Sequence, residues 1–152
     1  MAMTIEQLLA HKGRQIITVE PTTTIRDAVA LFGEHAIGAV VVCVARRVVG
    51  VLSERDCVSQ LLWRCSATLD SPVSAVMRTD TPSVEPGDSI EHGMALMTDR
   101  RTRHLPVVAA GELVGVISAG DLINAQLREQ EYLIESLEGY ISGSPSVRAP
   151  AH

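Results

Sequence analysis

The stretch GVISAGD at residues 115–121 decides the fold, because an earlier stretch, GVLSERD at residues 50–56, repeats its pattern. In both stretches an apolar run that follows a glycine ends at a serine, and an aspartate comes three positions later. The offset is 65 positions, since 115 − 50 is 65, and the sequence VEP at 19–21 falls on VEP at 84–86 at the same offset. An internal repeat of this quality means that the chain contains one supersecondary unit twice.

The hydrophobic pattern inside each copy predicts the order of its elements. In the first copy a β-branched run at 16–19 predicts a strand, and apolar residues at helical spacing from Ile25 predict an amphipathic helix. Apolar runs at 39–44 and 48–52 predict two more strands, and a final helix follows from about Glu54. Each copy therefore reads β-α-β-β-α, and we expect the α+β fold class.

The division of the chain follows from the repeat. We assign 1–65 to the first unit with an N-terminal helix, and 82–128 to the second unit. Residues 66–81, with Pro72 inside the segment and Pro82 directly after it, form the linker between the units. Residues 129–141 extend the last helix, and 142–152, rich in Ser, Pro and Ala, form a disordered tail.

Composition and charge exclude several classes of protein. A chain of 152 residues fits one compact domain or two small halves with a shared core. The net charge of −5 and a single lysine, Lys12, argue against nucleic-acid binding. No apolar run approaches the roughly 20 residues needed to span a bilayer, and the N-terminus lacks a signal pattern. We therefore expect a cytoplasmic protein with no membrane and no nucleic-acid partner.

The duplicated motif, with Leu105-Pro106-Val107-Val108 ahead of its second copy, resembles a pair of cystathionine-β-synthase (CBS) domains, a Bateman module of the stand-alone bacterial type. The resemblance covers roughly Leu8 to Leu127. It implies two units packed about a pseudo-two-fold axis, a homodimer, and adenine-containing ligands in the clefts between the motifs. It implies no cofactor, with an adenine nucleotide as regulatory ligand.

The repeated Ser-x-x-Asp has two interpretations. In the first, Ser53 and Ser118 are helix caps, and Asp56 and Asp121 are favoured by the dipoles of the helices that they begin. In the second, the same helix starts form a ligand site in which an ionised aspartate accepts both hydroxyls of a ribose. By the resemblance the two aspartates hold the ribose, and the two serines contact sugar or phosphate.

The resemblance also implies which residues contact the base and the phosphate. Backbone groups of two segments flank the adenine: Ile17, Thr18, Pro82 and Ser83. A basic run in the second unit includes Arg101, Arg103 and His104 as phosphate contacts, and residues 36–39 of the first unit carry no such charges. We therefore expect two sites that differ in affinity for the ligand, and the sequence does not decide which of the two is stronger.

The leading hypothesis is a non-catalytic regulatory module for energy sensing. It would bind AMP, or alternatively ADP, ATP or NAD, and signal to an unidentified regulated protein by conformational change. The alternative is a protein-interaction scaffold with vestigial clefts. A third hypothesis, an enzyme acting on nucleotides, lacks support because we find no catalytic motif and no metal-ligand spacing in the sequence.

Overall fold

The structure is a computed structural model that describes residues 3–13 and 15–141, without the side chains of residues 140 and 141. The predicted disordered tail at 142–152 lies outside the described residues.

The elements of the first unit follow the predicted order after one leading helix. They are α1 (Ile5–Lys12), β1 (Thr18–Val19), α2 (Ile25–His35), β2 (Ala39–Val44), β3 (Arg47–Ser53) and α3 (Glu54–Val58), which runs on as a π-helical turn at Ser59–Trp63. Strand β1 pairs parallel with β2, and β2 pairs antiparallel with β3. The order of this sheet is β1-β2-β3.

The second unit repeats this arrangement with a smaller sheet. A short 3₁₀ turn at Val73–Ala75 precedes α4 (Ile90–Arg100), β4 (His104–Ala109), β5 (Glu112–Ser118) and α5 (Ala119–Ile141). Strands β4 and β5 pair antiparallel. The α+β class and the duplicated β-α-β-β-α order are confirmed.

The second unit has a single parallel bridge, between Val84 and Val107, where the first unit has strand β1. Val84 donates to the Pro106 carbonyl at 3.0 Å and accepts from the Val108 amide at 2.8 Å. One step earlier the ladder would need the N–H of residue 106, which proline lacks. Pro106 therefore limits the parallel pairing of β4 with the preceding segment to this single bridge.

Each hydrophobic core includes the segment that precedes the other unit in the sequence, which we call the leading segment of that other unit. Helix α1 buries Ile5, Leu8 and Leu9 in the core of the second unit, together with residues such as Ile117 and Leu122. The 3₁₀ turn that precedes the second unit buries its valine in the core of the first. The division by sequence order put α1 with the first unit, but its packing places it with the second.

A third, smaller cluster joins the two sheets. Val41 and Cys43 from β2 pack against Leu113 from β5, and all three are buried. The Leu113 amide also donates to the Arg46 carbonyl of the first unit at 2.9 Å. The two units are therefore joined by an apolar contact between their sheets and by a backbone hydrogen bond.

Two strand glycines mark where the exchanged segments cross the sheets. A Cβ on Gly115 would lie 2.8 Å from both methyl carbons of Leu9, and one on Gly50 would lie 2.6 Å from the sulfur of Met77. The sequence predicts that something approaches these backbones closely. The approaching groups are side chains of the chain itself, so these glycines give no support to a ligand site.

We predict that Gly115→Ala destabilises the fold, because the new methyl collides with Leu9 and pushes α1 off the second core. The expected loss is about 1–3 kcal/mol in the free energy of unfolding, measured by urea denaturation. Gly33→Ala, on α2 with nothing within 4 Å of the new Cβ, is the control and should be neutral or slightly stabilising. Equal stability of the two variants would contradict this packing.

Candidate functional site

The capping interpretation of the repeated motif describes real hydrogen bonds. The Ser53 hydroxyl accepts from the Asp56 amide at 3.1 Å, and the Ser118 hydroxyl accepts from the Asp121 amide at 3.2 Å. Asp121 returns the bond, because its Oδ2 accepts from the Ser118 amide at 2.8 Å. These contacts hold each aspartate at a fixed place where a strand turns into a helix.

Asp121 also binds the lysine at the end of α1. Lys12 Nζ lies 2.5 Å from Asp121 Oδ2 and donates to the Val116 carbonyl at 2.9 Å. Helix α1 places this lysine, because its apolar face is anchored in the second core. The only lysine of the chain is thus used as the counter-ion of one motif aspartate.

Asp56 has an equivalent partner from the linker. Arg78 Nε donates to Asp56 Oδ1 at 3.0 Å, while the Arg78 backbone exchanges two 2.9 Å hydrogen bonds with Val51 of β3. Asp56 is buried, with 9% of its surface exposed. In both units the cation therefore comes from the segment that leads into the other unit.

These contacts keep Asp121 ionised. Burial by itself would raise the pKa of Asp121, but the hydrogen bonds from Lys12 and from the Ser118 amide outweigh it and lower the pKa below 3.8. An ionised carboxylate is an acceptor only. At neutral pH the group can therefore receive hydroxyl donors from a ligand.

Asp121 lines a cleft of about 400 Å³ between the two units, which we call the Asp121 cleft. The second unit contributes Ser118 and Asp121, and the first contributes Ile17 and the loop of residues 36–39 between α2 and β2. One wall is thus apolar and the other polar. A nucleoside would place its aromatic base on the apolar wall and its sugar hydroxyls against the polar wall.

A second cleft, of about 210 Å³, is the counterpart of the first, and we call it the Asp56 cleft. Here the first unit contributes Ser53 and Asp56, and the second contributes the loop of residues 101–104 between α4 and β4. Eight lining positions of the Asp121 cleft recur in the Asp56 cleft at an offset of 65: residues 13, 36–39, 116, 118 and 121 match residues 78, 101–104, 51, 53 and 56. The two clefts are related as the two units are.

His104 separates the clefts and lines both. Its ring faces Gly38, where an added Cβ would lie 3.5 Å from Nε2. Burial lowers the pKa of His104, and the charges of Arg103 and Lys12 lower it further against the opposing effect of Asp121 and Glu54. His104 is therefore neutral at neutral pH.

The structure places most of the predicted site residues in these clefts. Ser53, Asp56, Arg101, Arg103 and His104 line the Asp56 cleft. Ser118, Asp121, Ile17 and again His104 line the Asp121 cleft.

Three predicted adenine contacts lie elsewhere. Thr18 lines a different cavity with Glu20, Cys43 and Leu113, because consecutive residues of an extended chain point to opposite sides. In the second unit Thr81 lines the Asp56 cleft, whereas Pro82 and Ser83 are not among its lining residues. Their backbone contacts with a base stay a prediction.

The sequence interpretation missed Lys12, Arg78 and Arg55. Only tertiary packing brings the first two to the motif, since Lys12 is 109 positions from Asp121 and Arg78 is 22 from Asp56. The repeat gives a weak signal that these two cations have equivalent roles, because Arg78 aligns with Gly13 and Lys12 is the residue before Gly13.

Comparison with known proteins identifies the family. The family model for the CBS domain matches residues 12–62 and 73–128, and the chain belongs to this family as a tandem CBS pair. CBS-domain proteins are generally regulatory, non-catalytic modules.

Relatives and solved structures agree with that family. The CBS domain-containing protein YhcV of Bacillus subtilis (strain 168) is 34% identical over 119 residues, covering 76% of this chain and 82% of that protein. The CBS-domain protein ATU1752 from Agrobacterium tumefaciens is 37% identical, with a TM-score of 0.76 over 83% of this chain and 95% of that one. The CBS domain protein PAE2072 from Pyrobaculum aerophilum, solved as a complex with AMP, is 28% identical, with a TM-score of 0.71 over 78% and 89%.

Within residues 3–13 and 15–141, no helix has the length and apolar character required to cross a bilayer.

We predict that Lys12→Met lowers stability at neutral pH by about 1 kcal/mol, because Asp121 loses its counter-ion at a partly exposed site. The folded-state pKa of Asp121 is depressed, so the stabilisation is present above 3.8 and is lost as pH falls through the folded pKa. The difference in melting temperature from the unmodified chain should therefore shrink in acid. Lys12→Arg is the control, and a deficit independent of pH would contradict the pairing.

Proposed function

We propose that this CBS pair is a regulatory module that binds an adenosine nucleotide between its units, with AMP favoured and ADP, ATP or NAD as alternatives. The observation that carries the proposal is the ionised Asp121 carboxylate at the polar wall of a cleft of about 400 Å³ whose other wall is apolar. The related protein PAE2072 is solved with AMP, which supports the same ligand class here.

The chemistry of the Asp121 cleft fits a nucleoside. Oδ2 of Asp121 is occupied by Lys12 and the Ser118 amide, while Oδ1 has no hydrogen-bond partner among the described residues. A ribose diol would bind this oxygen and compete with Lys12 for the other. Ile17 and Ile37 supply apolar surface on which a base could lie.

Competition with Lys12 gives ligand binding a mechanical consequence. Lys12 ends α1, and α1 is part of the second core. A ligand that takes Asp121 from Lys12 would release the end of α1 and favour another position of the segment leading into β1. A cytoplasmic partner protein would then respond to the favoured state.

We also propose a homodimer built on the last helices of the two units. Val58 and Leu62 in the first unit are 44% and 71% exposed, and their duplicated counterparts Ile123 and Leu127 are 51% and 52% exposed. The same apolar pair is thus exposed in both units at equivalent positions. A second copy could cover both pairs at once about a two-fold axis.

The scaffold alternative uses the end of α5. Leu133, Ile134 and Leu137 are each more than half exposed on the part of α5 beyond the second unit. A scaffold would bind its partner there with or without nucleotide, whereas a sensor would respond to the ligand.

We predict that saturating AMP raises the melting temperature by several degrees, as expected from about 2.7 kcal/mol of linkage at a hundredfold excess over Kd. Asp121→Asn should weaken AMP at least tenfold, because the neutral amide is a poor acceptor for two hydroxyls. Differential scanning fluorimetry measures both. Asp99→Asn, the same change at an exposed position of α4, should behave like the unmodified chain. No shift with AMP, ATP, ADP or NAD would favour the scaffold.

For the dimer, we expect the unmodified chain to elute at twice its 16.3 kDa mass in size-exclusion chromatography with light scattering. Leu62→Glu together with Leu127→Glu should give the single-chain mass, because each charge would be buried against a second copy. Leu137→Glu, on the extension, is the control that should leave the mass unchanged. A monomer at all concentrations would overturn the proposal.

A further inference from the structure

The duplication allows the two clefts to be compared position by position, and they differ in charge. Four arginines line the Asp56 cleft, and the residue that aligns with each of them at the offset of 65 is glycine or alanine. The pairs are Arg55 with Gly120, Arg78 with Gly13, Arg101 with Ala36, and Arg103 with Gly38.

Three of the four arginines of the Asp56 cleft are available to a ligand, because only Arg78 is paired, with Asp56. All four are exposed, and the side chains of Arg55, Arg101 and Arg103 have no hydrogen-bond or ion-pair partner among the described residues. Four arginines against the carboxylates of Glu54 and Asp56 give this cleft a net charge of +2. The chain as a whole carries −5, so the charge of this cleft is opposite in sign to that of the chain.

Among the described residues that line it, the Asp121 cleft has no comparable surplus of positive charge. Its cation, Lys12, is bound to Asp121, so the two charges cancel. His104, which borders this cleft as well, is buried and its pKa is lowered, so it adds no charge at neutral pH. The apolar loop of residues 36–39 faces the ligand where the other cleft presents residues 101–104.

We propose that the two clefts bind different classes of nucleotide: the Asp56 cleft takes a nucleoside di- or triphosphate, and the Asp121 cleft takes a nucleoside or its monophosphate. Each guanidinium presents a planar set of donors that matches phosphate oxygens, and a polyphosphate chain has enough oxygens for several of them. The chain of phosphates would lie along the exposed arginines, outside the roughly 210 Å³ that the cleft encloses. This inference rests on the proposed function and divides it between the clefts.

Isothermal titration of the full chain with AMP, ATP and inorganic tripolyphosphate tests the division. The informative variant is Arg101→Gln with Arg103→Gln, which removes two charges and keeps side-chain length. Its control is Arg26→Gln with Arg46→Gln, two exposed arginines paired on the surface with Asp70 and Glu112. Melting curves of both variants confirm that they are folded.

We expect the Arg101/Arg103 variant to lose at least tenfold in affinity for ATP and for tripolyphosphate, and to bind AMP within about twofold of the unmodified chain. Asp121→Asn should do the opposite, weakening AMP and leaving tripolyphosphate unchanged. The surface control should leave all three ligands unchanged. Affinity for ATP and tripolyphosphate should also fall as salt is added.

Two results would overturn the division: unchanged ATP and tripolyphosphate affinity in the Arg101/Arg103 variant, or an equal loss of AMP. If AMP binds through Asp121 but ATP competes with it for one cleft, the proposed function stands and the division fails. If tripolyphosphate binds through the arginines but no adenosine compound binds, the charge asymmetry is real and the proposed function fails.

Discussion

The exchange of leading segments between the two units is the constraint on which the rest of the structure depends. Helix α1 precedes the first unit in sequence but completes the core of the second, through Ile5, Leu8 and Leu9. The linker does the reverse, with Val73 and Val76 in the first core. Neither unit can close its core alone, so the relative position of the two is set by burial of apolar surface.

The charged pairs at the motif follow from that exchange. Because α1 lies on the second unit, its last residue reaches Asp121, and because the linker lies on the first unit, Arg78 reaches Asp56. Each aspartate thus has a cation from the segment leading into the other unit. A ligand that displaced either cation would therefore act on the segment that connects the two units.

The sequence predicted the local structure and the family, because both depend on the periodicity of apolar residues and on a motif that occurs twice in the chain. The order of elements and the capping serines are local consequences of residue type. The sequence could not predict which unit α1 packs on, because apolar residues such as Leu8 and Leu9 indicate burial but not the core in which they are buried. For the same reason the partners of Asp56 and Asp121 could not be predicted.

The division of the basic residues between clefts shows how sequence and structure complement each other. The sequence showed that residues 101–104 are basic and that residues 36–39 are not. Only the structure assigns the basic loop of the second unit to the cleft of the first unit's aspartate, together with Arg55 and Arg78. In each cleft the loop between helix and strand and the Ser-x-x-Asp motif come from different units. Aligning one copy of the repeat with the other does not show this pairing.

A crystal structure of the full chain grown with AMP tests the central claim most directly. The account predicts electron density for AMP in the Asp121 cleft, with the ribose hydroxyls within hydrogen-bond distance of the Asp121 carboxylate and Lys12 moved away from Oδ2. AMP bound elsewhere, or an Asp121 cleft without AMP in which the Lys12–Asp121 pair is unchanged, would contradict it.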